Sequence, residues 1–64
     1  VNDFITVTGN ITNRVYAIRP GTILEMEQAD GFSKVFCKNE KTKNGVKVYE
    51  VKEKLETIIS KIDQ

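Results

Sequence analysis

Ile23-Leu24-Glu25-Met26-Glu27-Gln28-Ala29-Asp30-Gly31-Phe32-Ser33-Lys34-Val35-Phe36-Cys37-Lys38 is the stretch whose pattern fixes the fold class. Asp30-Gly31 is a two-residue type I′ turn signal, because that turn needs φ > 0 at both central positions. It sets Ala29 against Phe32. Counting outward, it then sets Glu27 against Lys34, Met26 against Val35, Glu25 against Phe36 and Leu24 against Cys37. One face of the hairpin receives Met26, Val35, Leu24 and Cys37, and the other receives an ion pair and mixed contacts. A slip of one residue would destroy that segregation, since side chains alternate with period two. Two antiparallel strands, 23–28 and 33–38, follow.

Upstream, Phe4-Ile5-Thr6-Val7-Thr8 is β-branched and alternating, and predicts a first strand over 3–8. Turn-forming residues at 9–13 separate it from Arg14-Val15-Tyr16-Ala17-Ile18, a second strand over 14–19 that returns antiparallel. Arg19-Pro20-Gly21-Thr22 has the signature of a type II turn, with Pro at the position of φ near −65° and Gly where φ is positive. Downstream, 39–45 is a polar loop tightest at Asn44-Gly45, and Val46-Lys47-Val48-Tyr49-Glu50-Val51 resumes alternation as a fifth strand. The period then changes. Leu55, Ile58, Ile59 and Ile62 stand at i, i+3, i+4 and i+7, one stripe of an amphipathic helix over 53–62. So short a helix is marginal alone in water and must be held by packing on the sheet.

These elements define a small α+β, mainly β domain: a five-stranded antiparallel meander, open or barrel-like, with the C-terminal helix packed on it. The expected core is Ile5, Val7, Val15, Ala17, Leu24, Met26, Val35, Cys37, Val48, Leu55, Ile58, Ile59 and Ile62. Ile58→Ala and Ile59→Ala are both expected to be strongly destabilising. A chain of 64 residues forms one domain, 1–64, that buries only roughly 60% of its unfolded surface. No apolar run reaches membrane-spanning length, so no membrane insertion is expected, and the N-terminus shows no signal-like succession of basic, apolar and small residues. The expected location is cytoplasmic. With that location, the acceptor pattern Asn10-Ile11-Thr12 is read as coincidence.

One cysteine and no histidine leave no internal disulfide, no Cys/His metal cluster and no His-based triad. No cofactor and no catalysis are expected. Cys37, inward beside Leu24, lacks the cationic, accessible setting of a reactive thiolate. Glu25 and Glu27 share a strand face, but no third group or cleft accompanies them, and Lys34 neutralises one of them.

The net charge of +1 is unevenly spread: residues 1–33 carry −2 and residues 34–61 carry +4. Lys34, Lys38, Lys41, Lys43 and Lys47, with Tyr49 and Phe36 nearby, form a candidate nucleic-acid surface, since small sheets bind strands through basic grooves and stacking aromatics. Every basic residue of this half is Lys, although Arg makes the commonest base contacts. A solvated, soluble sheet edge accounts for the same lysines.

The run Val51-Lys52-Glu53-Lys54-Leu55-Glu56-Thr57-Ile58-Ile59-Ser60-Lys61-Ile62 resembles the "VKES-x-EE-V-I-x-x-I" close of the small FlbD/SwrD-type flagellar and swarming-motility proteins. Ile5-Thr6-Val7-Thr8, then Val15-Tyr16-Ala17-Ile18-Arg19-Pro20 with Ile23 and Glu25-Met26-Glu27, is similar to that family's opening. Arg19 stands where the family has Asn, Lys54 stands where a capping Ser or Thr follows "VKE", and the loop at 39–45 is longer. Similar short proteins occur in phages, and the strands-then-helix order is shared with the longer DNA-binding LytTR domain. The Sso-type chromatin proteins show a similar order, but with a dense basic sheet that this chain lacks. The resemblance implies a non-enzymatic bacterial or phage accessory protein with a protein partner. The alternative is a small nucleic-acid-binding regulator using residues 34–47. Sheet edges are the natural binding surface of such a module, and Phe4, Ile5, Thr6, Val7 and Thr8, with neither Lys nor Pro, form the expected edge for a partner strand or a homodimer.

Overall fold

The structure is a computed structural model that describes residues 4–63. Five strands and one helix follow in chain order: β1 Ile5–Thr8, β2 Val15–Ile18, β3 Ile23–Gln28, β4 Ser33–Lys38, β5 Val46–Val51 and α1 Leu55–Ile62. Asp3, where the first strand was expected to begin, lies outside the described residues. The strands form two antiparallel sheets, β1-β2 and β3-β4-β5, instead of one continuous meander. β2 and β3 do not pair, because Pro20–Thr22 forms a 3-10 turn that directs the chain out of the first sheet. The Thr22 N–H donates to the Arg19 carbonyl at 3.0 Å. Gly21 is outside the left-handed region, so the turn is not the type II expected.

The sheets meet at the opposite end of the chain. Gly9 bridges Val51, the Asn10 N–H donates to the Glu50 carbonyl at 2.8 Å, and the Lys52 N–H donates to the Thr8 carbonyl at 2.8 Å. The arrangement therefore runs β2-β1, a single bridge, then β5-β4-β3, an unclosed barrel.

The central hairpin keeps most of its expected register: Met26 opposes Val35, Glu25 opposes Phe36, Glu27 opposes Lys34, and the Ala29 N–H donates to the Phe32 carbonyl at 2.8 Å. Its turn is not type I′. Gly31 has φ of 85°, while Asn13 is the one non-glycine residue at positive φ among those described, so Asp30 has negative φ and the turn lacks the second positive φ that type I′ needs. A bulge between Ile23 and Glu25 puts Ile23 opposite Cys37 and leaves Leu24 as the extra residue, 60% exposed.

The core consists of Ile5, Val7, Ile18, Val35, Cys37, Val51 and Ile58, with Tyr16, Ile23, Met26, Tyr49 and Ile62 packed against it. Val15, Ala17, Leu24, Val48 and Ile59, expected inside, are exposed, and Leu55 is half-buried. In β2 the cause is pairing: Ile5↔Ile18 and Val7↔Tyr16 put Ile18 and Tyr16 on the inner face, so Val15 and Ala17 share the outer face with Thr8 and Thr6. In β5 the pairs Ser33↔Val51 and Val35↔Tyr49 do the same, turning Val48 outward with Phe36. On α1 the helix is two residues shorter than expected at its start, and the stripe meets the core only along Ile58 and Ile62.

Two side chains from elsewhere hold the helix start. Lys54 occupies the N-cap position without a capping side chain, and the Leu55 N–H donates instead to Gln28 Oε1 at 2.9 Å. Glu53 accepts the Thr8 N–H on both carboxylate oxygens, at 2.8 and 3.0 Å. Ser33, fully buried, donates to the Glu53 carbonyl at 2.7 Å. At the other end of α1, Lys61 Nζ donates to the Thr6 carbonyl at 2.6 Å.

Candidate partner-binding groove

β1 is not the open edge expected. Thr8 and Thr6 aim their backbone groups away from β2, and there Lys52, Glu53 and Lys61 take the Thr8 carbonyl, the Thr8 N–H and the Thr6 carbonyl. Ile5 and Val7 are buried, Thr8 is half-buried, and only Phe4 and Thr6 are exposed. Phe4 has the Arg19 guanidinium 5.1 Å from its ring centroid. The physical cause is the helix: once Ile58 seats α1 on the core, its flanking polar side chains fall on this edge.

Besides the outer edges of β2 and β3, which no further strand among the described residues covers, open backbone lies on β5 where it parts from β1. An antiparallel ladder alternates pairs that bond each other with pairs whose backbone groups point outward. The Glu50 carbonyl takes Asn10, on the side away from β4. Val46, four residues back, also points outward: its N–H donates to Asn44 Oδ1 and its carbonyl accepts from Thr42 Oγ1, both at 3.2 Å. Val48 lies between them with the same parity. Its N–H and C=O therefore also point away from β4, and neither has a partner among the described residues.

This edge faces a groove of about 400 Å³ lined by Ile11, Thr12, Tyr16, Lys47, Val48, Tyr49 and Glu50. The groove exists because the backbone of the β1-β2 hairpin bonds β5 only at its Glu50–Val51 end. The hairpin loop is tight. The Gly9 N–H donates to the Arg14 carbonyl at 2.7 Å, and Asn13 takes φ of 58°. A Cβ on Gly9 would collide with Thr12 Oγ1 and crowd the Tyr16 ring. Glycine at this position thus lets the loop fold down onto Tyr16, where Thr12 Oγ1 and the Tyr16 hydroxyl lie 3.3 Å apart.

The chain's two tyrosines form the groove's aromatic surface. Tyr16 and Tyr49 have ring centroids 5.1 Å apart at an interplanar angle of 59°, an attractive tilted geometry. Lys47 Nζ sits 5.1 Å from the Tyr49 centroid, so an ammonium group stands over one ring. Ile11 at 79% exposed and Val48 at 47% provide apolar rims.

Of the lysine-rich surface, only Lys47 and Tyr49 come together here. Lys34 and Lys38 lie on the opposite face of the sheet, as strand parity requires, with Lys34 between Glu27 and Glu50 in register. Phe36 shares that outer face. Lys41 and Lys43 are exposed in the loop before β5. That loop is built by its own side chains: Asn39 Oδ1 accepts the Lys41 N–H at 2.9 Å, and Thr42 Oγ1 donates to the Asn39 carbonyl at 3.0 Å. Ile11, Thr12 and Tyr16 are groove residues that the sequence did not single out. The available signal was the presence of one tyrosine in each of two strands that the fold brings together.

Cys37 is buried, and burial pushes its thiol above the usual 9.0, with a hydrogen bond from Thr22 opposing. It packs in the core as expected. Among the described residues no group of three or more Cys, Asp or Glu is arranged to hold a metal ion, and no helix is long and apolar enough to cross a membrane. Comparison of the chain with protein-family profiles, with curated proteins and with solved structures finds no match.

Proposed function

We propose that the chain is a non-enzymatic protein-binding module that takes an extended segment of a partner protein as an added strand on the β5 edge. The observation carrying this reading is the outward-pointing, unpartnered Val48 N–H and C=O beside the Tyr16–Tyr49 pair. Main-chain groups spaced as in a ladder match another peptide backbone, and the rings supply a surface for one of its side chains. A motility-type or phage accessory role, as the FlbD/SwrD resemblance implies, is compatible with a module that binds and does no chemistry. The nucleic-acid alternative is less well supported, because the lysines divide between two faces and the groove lining holds one lysine together with one carboxylate, Glu50.

Selection of a random peptide display library on the folded domain tests the reading. Enriched peptides are expected to shift the backbone amides of residues 46–50 and of Tyr16 in heteronuclear NMR spectra. They are expected to lose roughly tenfold or more in affinity against Tyr49→Ala, the size typical of a buried aromatic contact. Peptides whose shifts map to another face would overturn it. So would a short oligothymidylate binding the same groove with a steep salt dependence, which would move the assignment to nucleic acid.

A further inference from the structure

The geometry points to an extended segment with the pattern apolar, any residue, acidic, running antiparallel to β5. This inference rests on the strand-addition reading above and adds the chemistry of the occupant. Residues on adjacent strands that stand opposite each other project to the same face. A residue paired with Val48 through the Val48 N–H and C=O therefore projects to the outer face with the Val48 side chain. Its two neighbours project to the inner face, one opposite Tyr49 and the other opposite Lys47. In the antiparallel sense the residue before the paired one meets Tyr49 and the Tyr16 ring beside it, and the residue after meets Lys47.

Charge complementarity selects the occupant of the second position. The Lys47 end of β5 continues into a loop, so residues 38–47 carry Lys38, Lys41, Lys43 and Lys47 against Glu40 alone. A carboxylate arriving at that end meets a net positive field, whereas a lysine there meets like charge. The other end of the groove is stopped by Asn10, which already occupies the Glu50 carbonyl. The segment must therefore extend from the groove past Lys47, along the basic loop.

Three capped heptapeptide probes test the inference: one with Phe-Val-Asp at its centre and Thr on both flanks, the same with Lys for Asp, and the first with its central Val N-methylated. Heteronuclear NMR titration is expected to give binding at residues 46–50 for the Asp probe. The Lys probe is expected to bind about threefold or more weakly, with a gap that widens as salt is lowered. The N-methylated probe, lacking the central donor, is expected to lose binding. Lys47→Glu, at an exposed position, is expected to invert the Asp–Lys preference while leaving the spectrum dispersed. Equal binding of the Asp and Lys probes, with N-methylation still abolishing it, would overturn the acidic assignment and leave strand addition standing. Binding indifferent to N-methylation, or no binding of either probe at millimolar concentration, would remove both.

Discussion

Ile58→Ala is expected to abolish or nearly abolish folding, while Ile59→Ala leaves a folded domain. Ile58 is fully buried among the sheet residues, and truncating such a side chain costs the lost transfer free energy plus a cavity, about 2–5 kcal/mol. A domain of this length has roughly 3–10 kcal/mol in total. The loss is amplified because α1 carries the groups that close β1: with the helix undocked, the Glu53 and Lys61 contacts to Thr8 and Thr6 have nothing to hold them in place. Ile59, 43% exposed at the flank of the apolar stripe, loses little by comparison, about 1 kcal/mol or less. Urea denaturation followed by circular dichroism checks the contrast. Equal midpoints for the two variants would mean that the helix is not docked through Ile58.

The second large effect is expected at Glu53, and it depends on pH. Burial pushes this carboxyl up. The hydrogen bonds from the Thr8 backbone and from its own backbone, with Lys61 nearby, outweigh burial and hold it below the usual 4.5. A carboxyl with a lowered folded value contributes stability that is present above its unfolded value and is lost as pH falls through the folded one. Wild-type stability is therefore expected to decline from weakly acidic pH downward. Glu53→Gln, which cannot ionise, is expected to be less stable at neutral pH by about 1.5 kcal/mol, the low end for hydrogen bonds to a charged group. The gap should close in strong acid. Urea midpoints of the two proteins across the acid range measure it, and a constant gap would show that the Glu53 charge does not tie β1 to the helix start.

Much of the fold was legible because several strands carry their own register. Met26 opposite Val35 and Glu27 opposite Lys34 follow from where Asp30-Gly31 sits, and the bonds confirm them although the turn itself differs in type. Legibility failed where a strand is apolar at successive positions. Val15-Tyr16-Ala17-Ile18 offers two equally apolar faces, and only the pairing with Ile5 and Val7 decides that Tyr16 and Ile18 go inward. The same holds for Val48 against Tyr49 and Val51, where β4 makes the choice. Leu24, expected inward opposite Cys37, turned outward because a bulge leaves no separable mark in a single chain.

The site was legible only in part, for a related reason. Lys47 and Tyr49 belong to the groove, but so does Tyr16, which looked like one more apolar strand residue. The proposed binding position moved from Phe4–Thr8 to Val48 because whether a strand's backbone is open depends on what covers it. Lys52, Glu53 and Lys61 cover β1 from more than 40 residues away in sequence. Composition favours the uncharged strand as the exposed one, yet the long-range contacts bury it.

Amide hydrogen exchange of the free domain reads out whether β5 presents open backbone at Val48. Phe36 and Val48 form an outward-pointing pair, whereas Val35 and Tyr49 bond each other across β4 and β5. The Val48 amide is predicted to exchange orders of magnitude faster than those of Val35 and Tyr49 on either side of the same ladder, and to become protected when a bound peptide fills the groove. A Val48 amide as protected as Tyr49 in the free monomer would rule out strand addition at β5, because the backbone to which a partner strand must add would already be occupied.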